Sequence, residues 1–308
     1  MSVKLLVTTV LLLLPYVHTF SVEKRVSKLL SWSKSENEAP TILGWCEERR
    51  LQDATELQVT VSCGDSEPLE VSIPIPTDEN TLARTLWPSS LAAAILLRLP
   101  ASEQLVKDRH ILELGCGLGL AGIVTSSSAK SCCLTDHDEE IIQLLKNQNI
   151  PNIDVSYLEW RDEDRPNDIP PSDLVIGADI AYYFYLLRPL IDTTKAMLRP
   201  DNSAFMVVGQ ANRESQWDLY HNVRDGCYNQ LTDEREAPWN GETRMLLYQL
   251  QMFKWQVDDD IALENQELDG TIPIAVMIHT SPGLENFAFT TFDHIATKND
   301  KEGIMMSF

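Results

Sequence analysis

The run ILELGCGLGLAG, residues 111–122, decides how this chain is read. Its first four residues, ending at Leu114, have the composition of a buried strand, and the small apolar stretch from Leu120 onward has that of a helix. Gly115, Gly117 and Gly119 lie between them. Glycines at a strand-to-helix turn let the backbone curl tightly and approach a ligand with no side chain in the way. The exposed amides of the helix's first turn face the same space. The segment reads as a nucleotide-handling loop, although a tight turn in any α/β sheet would also use glycines here.

Two nucleotides compete for it. Gly117, Gly119 and Gly122 satisfy G-x-G-x-x-G, and Asp136 lies about 20 residues on, where a dinucleotide site places its ribose-binding acid. The alternative pattern is E-x-G-x-G-x-G, with Glu113 two residues before the first glycine. A pyrophosphate would be repelled by a carboxylate beside its cradle. S-adenosylmethionine (SAM) has no phosphate and carries a sulfonium and an amino group, so an acidic rim suits it. Glu113 tilts the reading toward SAM.

Composition narrows the partners. The chain has 308 residues, 44% of them hydrophobic, enough for one large domain or two small ones. Its formal net charge of −21 leaves no basic surface to grip a phosphate backbone, so nucleic acid is not an expected partner. An acidic surface instead attracts lysine-rich protein segments, or serves only to keep the chain soluble. Among six cysteines and six histidines no metal-ligand spacing occurs, and no metal is expected. Cys116 inside the glycine loop and the adjacent Cys132 and Cys133 do not suit a disulfide framework.

Residues 1–20 carry Lys4 and the apolar stretch LLVTTVLLLLPYV, too short to span a bilayer comfortably and interrupted by Pro15. They read as a signal-peptide-like leader, and no stable membrane span is expected once it is removed. Residues 21–54 open with the serine- and lysine-rich SVEKRVSKLLSWSKS and read as a transit-like linker. Together these resemble the two-part leaders of organelles reached through the secretory route, such as a complex plastid; a mispredicted gene start would leave the chain in the cytoplasm.

From residue 55 the pattern becomes that of a domain, expected to run to residue 255. ELQVTVSCG and PLEVSIPIP alternate around Gly64–Asp65 as a β-hairpin. Pro88 opens a helix that ends before Pro100. Strands through Leu112, Ser131–Thr135, Ile153–Leu158, Leu174–Ala178 and Ala204–Gly209 then alternate with helices, among them 138–149, 185–198 and 213–225. This alternation predicts an α/β fold with a mostly parallel sheet. Two last strands, near Tyr228–Leu231 and Met245–Phe253, are expected to close it as an antiparallel hairpin. Residues 256–308 form an extension without an assigned role, in which only IPIAVMIH and FAFTTF have strand character.

Ligands of such sheets bind at the carboxyl ends of the strands. Asp136, after the second strand, is placed to accept ribose hydroxyls, and Asp138 to cap the next helix. Trp160, after the third, is placed to stack on adenine or to edge the core. After the fourth come the small Gly177 and Ala178, then Asp179 and Tyr182 in a D-x-x-Y arrangement.

With LWPSSLA, LELGCGLGLAGI, LTDHD, LEW and DLVIGADIAYY in this order, the chain resembles the seven-β-strand methyltransferases of family 16, which include lysine methyltransferases of chaperones, valosin-containing protein, calmodulin and elongation factor 2. The resemblance implies a Rossmann-like seven-stranded methyltransferase sheet with an antiparallel last strand, preceded by the hairpin and helix. It also implies SAM as cofactor, with Trp87, Glu113, Gly115, Cys116, Gly117, Gly119, Asp136, Trp160 and Ala178 as candidate cofactor-binding residues. Asp179 and Tyr182 match the family signature and are the candidate catalytic pair. The implied acceptor is a lysine of a protein partner, and a monomer is expected. A small-molecule methyltransferase and a non-catalytic SAM-fold module remain alternatives; an NAD-dependent oxidoreductase would leave Trp87, Glu113 and the D-x-x-Y unused.

Overall fold

The computed structural model describes residues 22–31, 40–51, 55–64, 66–76, 85–160, 169–229, 234–257 and 267–284. The expected leader, the FAFTTF segment and the acidic run at 258–260 lie outside these residues. The first strands are β1 (Val22–Ser31), β2 (Ile42–Leu51), β3 (Glu56–Cys63) and β4 (Leu69–Pro74). Helices α1 (Pro88–Arg98) and α2 (Glu103–Val106) follow. An alternating block comes next: β5 (His110–Leu114), α3 (Leu120–Thr125), β6 (Ser131–Asp136), α4 (Glu139–Lys146) and β7 (Ile153–Tyr157). It continues with β8 (Leu174–Ala178), α5 (Phe184–Met197), β9 (Ala204–Gln210) and α6 (Glu214–Asp225). A two-residue ribbon, β10 (Tyr228–Asn229) with β11 (Glu234–Arg235), precedes the long strands β12 (Glu242–Val257) and β13 (Glu267–Thr280).

Eleven strands share one sheet in the order β4-β3-β2-β1-β12-β13-β9-β8-β5-β6-β7. Strands β5 to β9 are parallel, and β13 runs antiparallel to both β9 and β12. The seven strands from β7 to β12 are thus the expected mostly parallel sheet with one reversed strand. The chain runs outward from β5 to β7, then returns to lay β8 on the other side of β5. That reversal opens a crevice at the carboxyl ends of β5 and β8.

Alternation along the strands supplies both faces. Ile111, Ile176, Met206 and Val208 join a core with α1 and α3, while Leu112, Leu114, Val175, Phe205 and Val207 join one with α5 and α6. Helix α1 starts on Pro88, whose missing N–H costs nothing at the first turn, and Leu91–Leu97 are buried throughout. Among the described residues no helix is long and apolar enough to cross a membrane.

Three expectations are corrected. Residues 22–31 and 42–51 are not linker: β1 and β2 pair with each other, and β1 joins the hairpin strands to β12. Their charges are matched across the ladder, Lys24 to Glu47 at 2.7 Å and the Arg25 guanidinium to the buried Glu48 carboxylate. Tyr228–Asn229 belongs to the separate ribbon, so the closing hairpin is β12 with β13. The segment IPIAVMIH, in the supposed extension, lies inside the sheet between β9 and β12.

A chain ending at Val257 would expose the edge of β9 and strip Ile274, Val276 and Met277 from the two cores. Each buried aliphatic side chain lost costs about 2–5 kcal/mol, so thermal melting of this truncation should show no cooperative transition. A transition like that of the full chain would contradict the placement of β13.

Candidate functional site

The loop after β5 is held from beneath. Glu113 falls on the α3 face of β5, and its Oε2 accepts the Gly122 N–H at 2.7 Å. A Cβ on Gly122 would stand 2.7 Å from that oxygen and 2.3 Å from Leu134, so a glycine is required there to admit the carboxyl. Burial, opposed by the Gly122 N–H and reinforced by Asp136, pushes the Glu113 carboxyl from 4.5 up to about 8. Glu113 is therefore neutral near pH 7 and buried. It supports the loop through the Gly122 amide rather than presenting a charged rim.

The negative charge at the crevice belongs to Asp136 instead. Its Oδ2 accepts the Gly117 N–H at 2.9 Å and its Oδ1 the Asp138 N–H at 3.1 Å. Asp138 caps α4 by accepting the Glu140 and Ile141 amides, as expected. Two further loop amides are engaged internally: Cys116 donates to the Thr135 carbonyl at 2.9 Å and Gly119 to the Cys116 carbonyl at 2.8 Å. A pyrophosphate cradle needs loop N–H groups free to receive phosphate oxygens. Here the amides of Cys116, Gly117 and Gly119 are already bonded, and a carboxylate holds the middle one.

The glycines differ in task. Gly117, at φ +50°, would present a Cβ to open space. Gly115, at φ +58°, approaches the Trp160 indole, which a Cβ there would meet at 3.3 Å. Gly119 caps α3 at φ +73° with its Cβ position filled by Leu134, so it faces the core. The Cys116 thiol is buried, raised above its ordinary range by that burial, and rests 3.5 Å from the Gly117 carbonyl. Neither Cys116 nor Gly119 turns a side-chain position toward the crevice. Gly177 is small for an internal reason, since a Cβ would meet Ile180 at 2.1 Å. Ala178 ends β8 half-buried beside it.

Asp179 follows β8 in a left-handed backbone, φ +62°, which Asp tolerates better than most residues. Its amide donates to the Val208 carbonyl at 2.8 Å, fixing the turn to β9. One carboxylate oxygen lies 3.2 Å from an Arg213 guanidinium nitrogen, and the other receives the Ser89 hydroxyl at 3.4 Å. Burial raises the Asp179 carboxyl, with Arg213 and then Ser89 pulling it back down. Tyr182 sits beside it: burial, then the charge of Asp136, push its phenol above the ordinary value, and Asp179 adds to the effect. The D-x-x-Y pair and Asp136 thus share one electrostatic field. Trp87, the residue before α1, is exposed two positions from Ser89.

Sequence reading missed Ser89 and Arg213. Ser89 lies inside LWPSSLA and Arg213 just past β9, at another strand end, so position was a usable signal. Among the described residues no group of acids, histidines and cysteines is arranged to hold a metal ion.

The fold and this constellation define a class I methyltransferase arrangement, and comparison with known proteins makes it specific. The family model described as lysine methyltransferase matches residues 68–224, about half of the chain, and the chain belongs to that family. A Danio rerio protein N-lysine methyltransferase, METTL21A, is 28% identical over 130 residues, 39% of this chain and 57% of its own. A Xenopus tropicalis EEF1A lysine methyltransferase 3 is 33% identical over 109 residues, 32% and 46% of the two chains. A Xenopus laevis histone-arginine methyltransferase, METTL23, is 30% identical over 144 residues, 44% and 59%. The chain spans about half the length of the curated relatives it matches.

The folded chain holds the Glu113 proton up to about 8, against 4.5 in its absence, so the stability from this group is full at low pH and is lost as pH rises through about 8. Glu113→Gln keeps an oxygen for the Gly122 amide but has no proton to lose. Between pH 5 and 8 the variant should gain on the parent by up to roughly 1.4 kcal/mol per pH unit in urea unfolding. Parallel pH profiles would contradict a buried, neutral Glu113.

Proposed function

We propose that this protein is a SAM-dependent methyltransferase that places a methyl group on the side-chain amine of a lysine in another protein. The observation that carries this reading is the junction of two devices across one crevice. On one side is a glycine loop whose amides are tied off by Asp136. On the other is Asp179, braced by Ser89 and Arg213.

The residues fit SAM. Gly117 opens onto free space, Trp160 lies along Gly115, and the Asp136 carboxylate retains lone pairs for ribose hydroxyls beyond the two N–H groups it accepts. When bound, SAM would supply an electrophilic methyl carbon on a positively charged sulfur leaving group.

The chain's own residues must deliver an amine with a free lone pair. Lysine has an unperturbed pKa of about 10.4, burial lowers it, and an isolated carboxylate would raise it. Arg213 offsets this last effect: with its charge beside Asp179, the acid accepts an N–H of the amine while holding the proton less strongly than a bare carboxylate. Asp179 is then a positioning acceptor rather than a strong base. Ser89 and Arg213 fix its two oxygens, and Tyr182 walls the approach between Asp179 and Asp136. Alignment is the main source of rate in such a displacement.

Asp179→Asn preserves the left-handed backbone and the volume but removes the charge. With tritiated SAM and protein from an extract of cells lacking the gene, label transfer should fall by roughly 100-fold or more while the SAM dissociation constant changes less than about threefold. Wild-type transfer by Asp179→Asn would overturn this role. Label appearing only in small molecules would favour a small-molecule methyltransferase.

A further inference from the structure

Among the described residues large apolar side chains are exposed at few places, and most of those places adjoin one another. Seven are exposed among the described residues, and five of them, Trp87, Tyr182, Tyr183, Phe184 and Tyr185, lie at or beside the D-x-x-Y. Four are consecutive, with 39%, 51%, 58% and 71% of their surfaces accessible in chain order. The three tyrosine rings are in contact, Tyr182 with Tyr183 at 4.7 Å between centroids and Tyr183 stacked on Tyr185 at 5.2 Å, and Phe184 is exposed beside them in the chain. The inner end of this ridge is the Tyr182 phenol, in the field of Asp136 and Asp179. Its outer end is Tyr185, in the first turn of α5.

Folding alone does not call for this ridge. Helix α5 buries Leu187, Leu190 and Ile191 against the sheet, and none of the residues 182–185 belongs to either core. Contiguous exposed aromatics with a polar border mark interaction sites, and aromatic rings are strong anchors in them. The occupant follows from what flanks the ridge. Carboxylates stand at its inner end, the whole chain carries −21, and aromatic faces attract cations. A small amine held at Asp179 and Tyr182 would leave the two ring-to-ring steps beyond them uncovered. Only an acceptor attached to a longer chain covers them.

We propose that the ridge Tyr182–Tyr183–Phe184–Tyr185 is the docking surface for a basic, lysine-bearing protein segment, the acceptor lysine passing Tyr182 and its neighbours lying on Tyr183, Phe184 and Tyr185. This inference rests on the methyl-transfer reading above and adds where the protein partner binds. The partner's cationic side chains meet the ring faces, and its apolar groups cover the ring edges.

The test uses the full chain with Tyr183→Ser and Tyr185→Ser combined. Tyr183 occupies the cap position of α5 without a side-chain cap bond, and serine is a favoured residue there, so the helix is preserved. Extract protein labelled with tritiated SAM is the acceptor, and SAM binding is followed by calorimetry. The double variant should bind SAM as the parent does and label protein at least ~10-fold more slowly at low acceptor concentration, the effect lying in KM. Tyr183→Phe with Tyr185→Phe should restore the rate, because ring faces and not hydroxyls make the contact. If the double serine variant loses SAM binding, Tyr185→Ser alone replaces it. Protein labelled equally fast by parent and serine variant would overturn the ridge while leaving the transfer activity standing. No protein label with the parent would overturn both. A dimer of the parent that the serine variant dissociates would assign the ridge to a second copy of this chain and overturn the proposal.

Discussion

The hydrogen bond from the Gly117 amide to Asp136, 2.9 Å long, joins the two strand ends on which the site depends. It ties the loop after β5 to the end of β6, holds Gly117 in its left-handed turn, and removes from the loop an amide that a phosphate would need. It also fixes the carboxylate at the mouth of the crevice, where its charge acts on Tyr182 across the opening. The carboxylate that ties off the loop is therefore Asp136. Glu113, which the sequence pattern points to first, is buried and secures the loop through Gly122.

The acceptor side is built by contacts from distant parts of the chain. Ser89 opens α1, Asp179 ends β8 and Arg213 precedes α6, yet the three meet at one carboxylate. The acid is held at both oxygens and partly compensated in charge. It can direct an amine without trapping it as an ammonium. The exposed rings that begin beside it give the same crevice a route outward to a partner too large to enter.

The parallel part of the fold was legible because buried parallel strands are near-continuous apolar runs, as in LVIGA and AFMVV, and because ligand residues gather at their carboxyl ends. Strands β1 and β2 were not legible, since Lys24, Arg25 and Lys28 among serines give the first a transit-like composition and the charged Glu47–Arg50 run breaks the apolar pattern of the second. Only the register, which sets Arg25 opposite Glu48, shows that these charges pair within a sheet. Strand β13 was legible as a strand in IPIAVMIH, but its place inside the sheet was hidden by Pro273 and Gly270, residues that a central strand ordinarily avoids. Pro273 is accommodated because pairing with β9 begins only at Ile274, and its carbonyl accepts the Ala211 amide. The site acids could be read from position alone. Position also flags Ser89 and Arg213, but not that they meet Asp179, because that contact is set by packing across 90 residues of chain.

The central claim is that the glycine loop, with its amides tied off and Asp136 at its rim, is a SAM site and not a dinucleotide site. Titration calorimetry of the full chain with SAM and, separately, with NAD tests it most directly. Saturable one-to-one binding of SAM, weakened when Asp136 is changed to Ala, and no measurable heat with NAD are expected. Binding of NAD as tight as that of SAM, or SAM binding indifferent to Asp136, would contradict that claim.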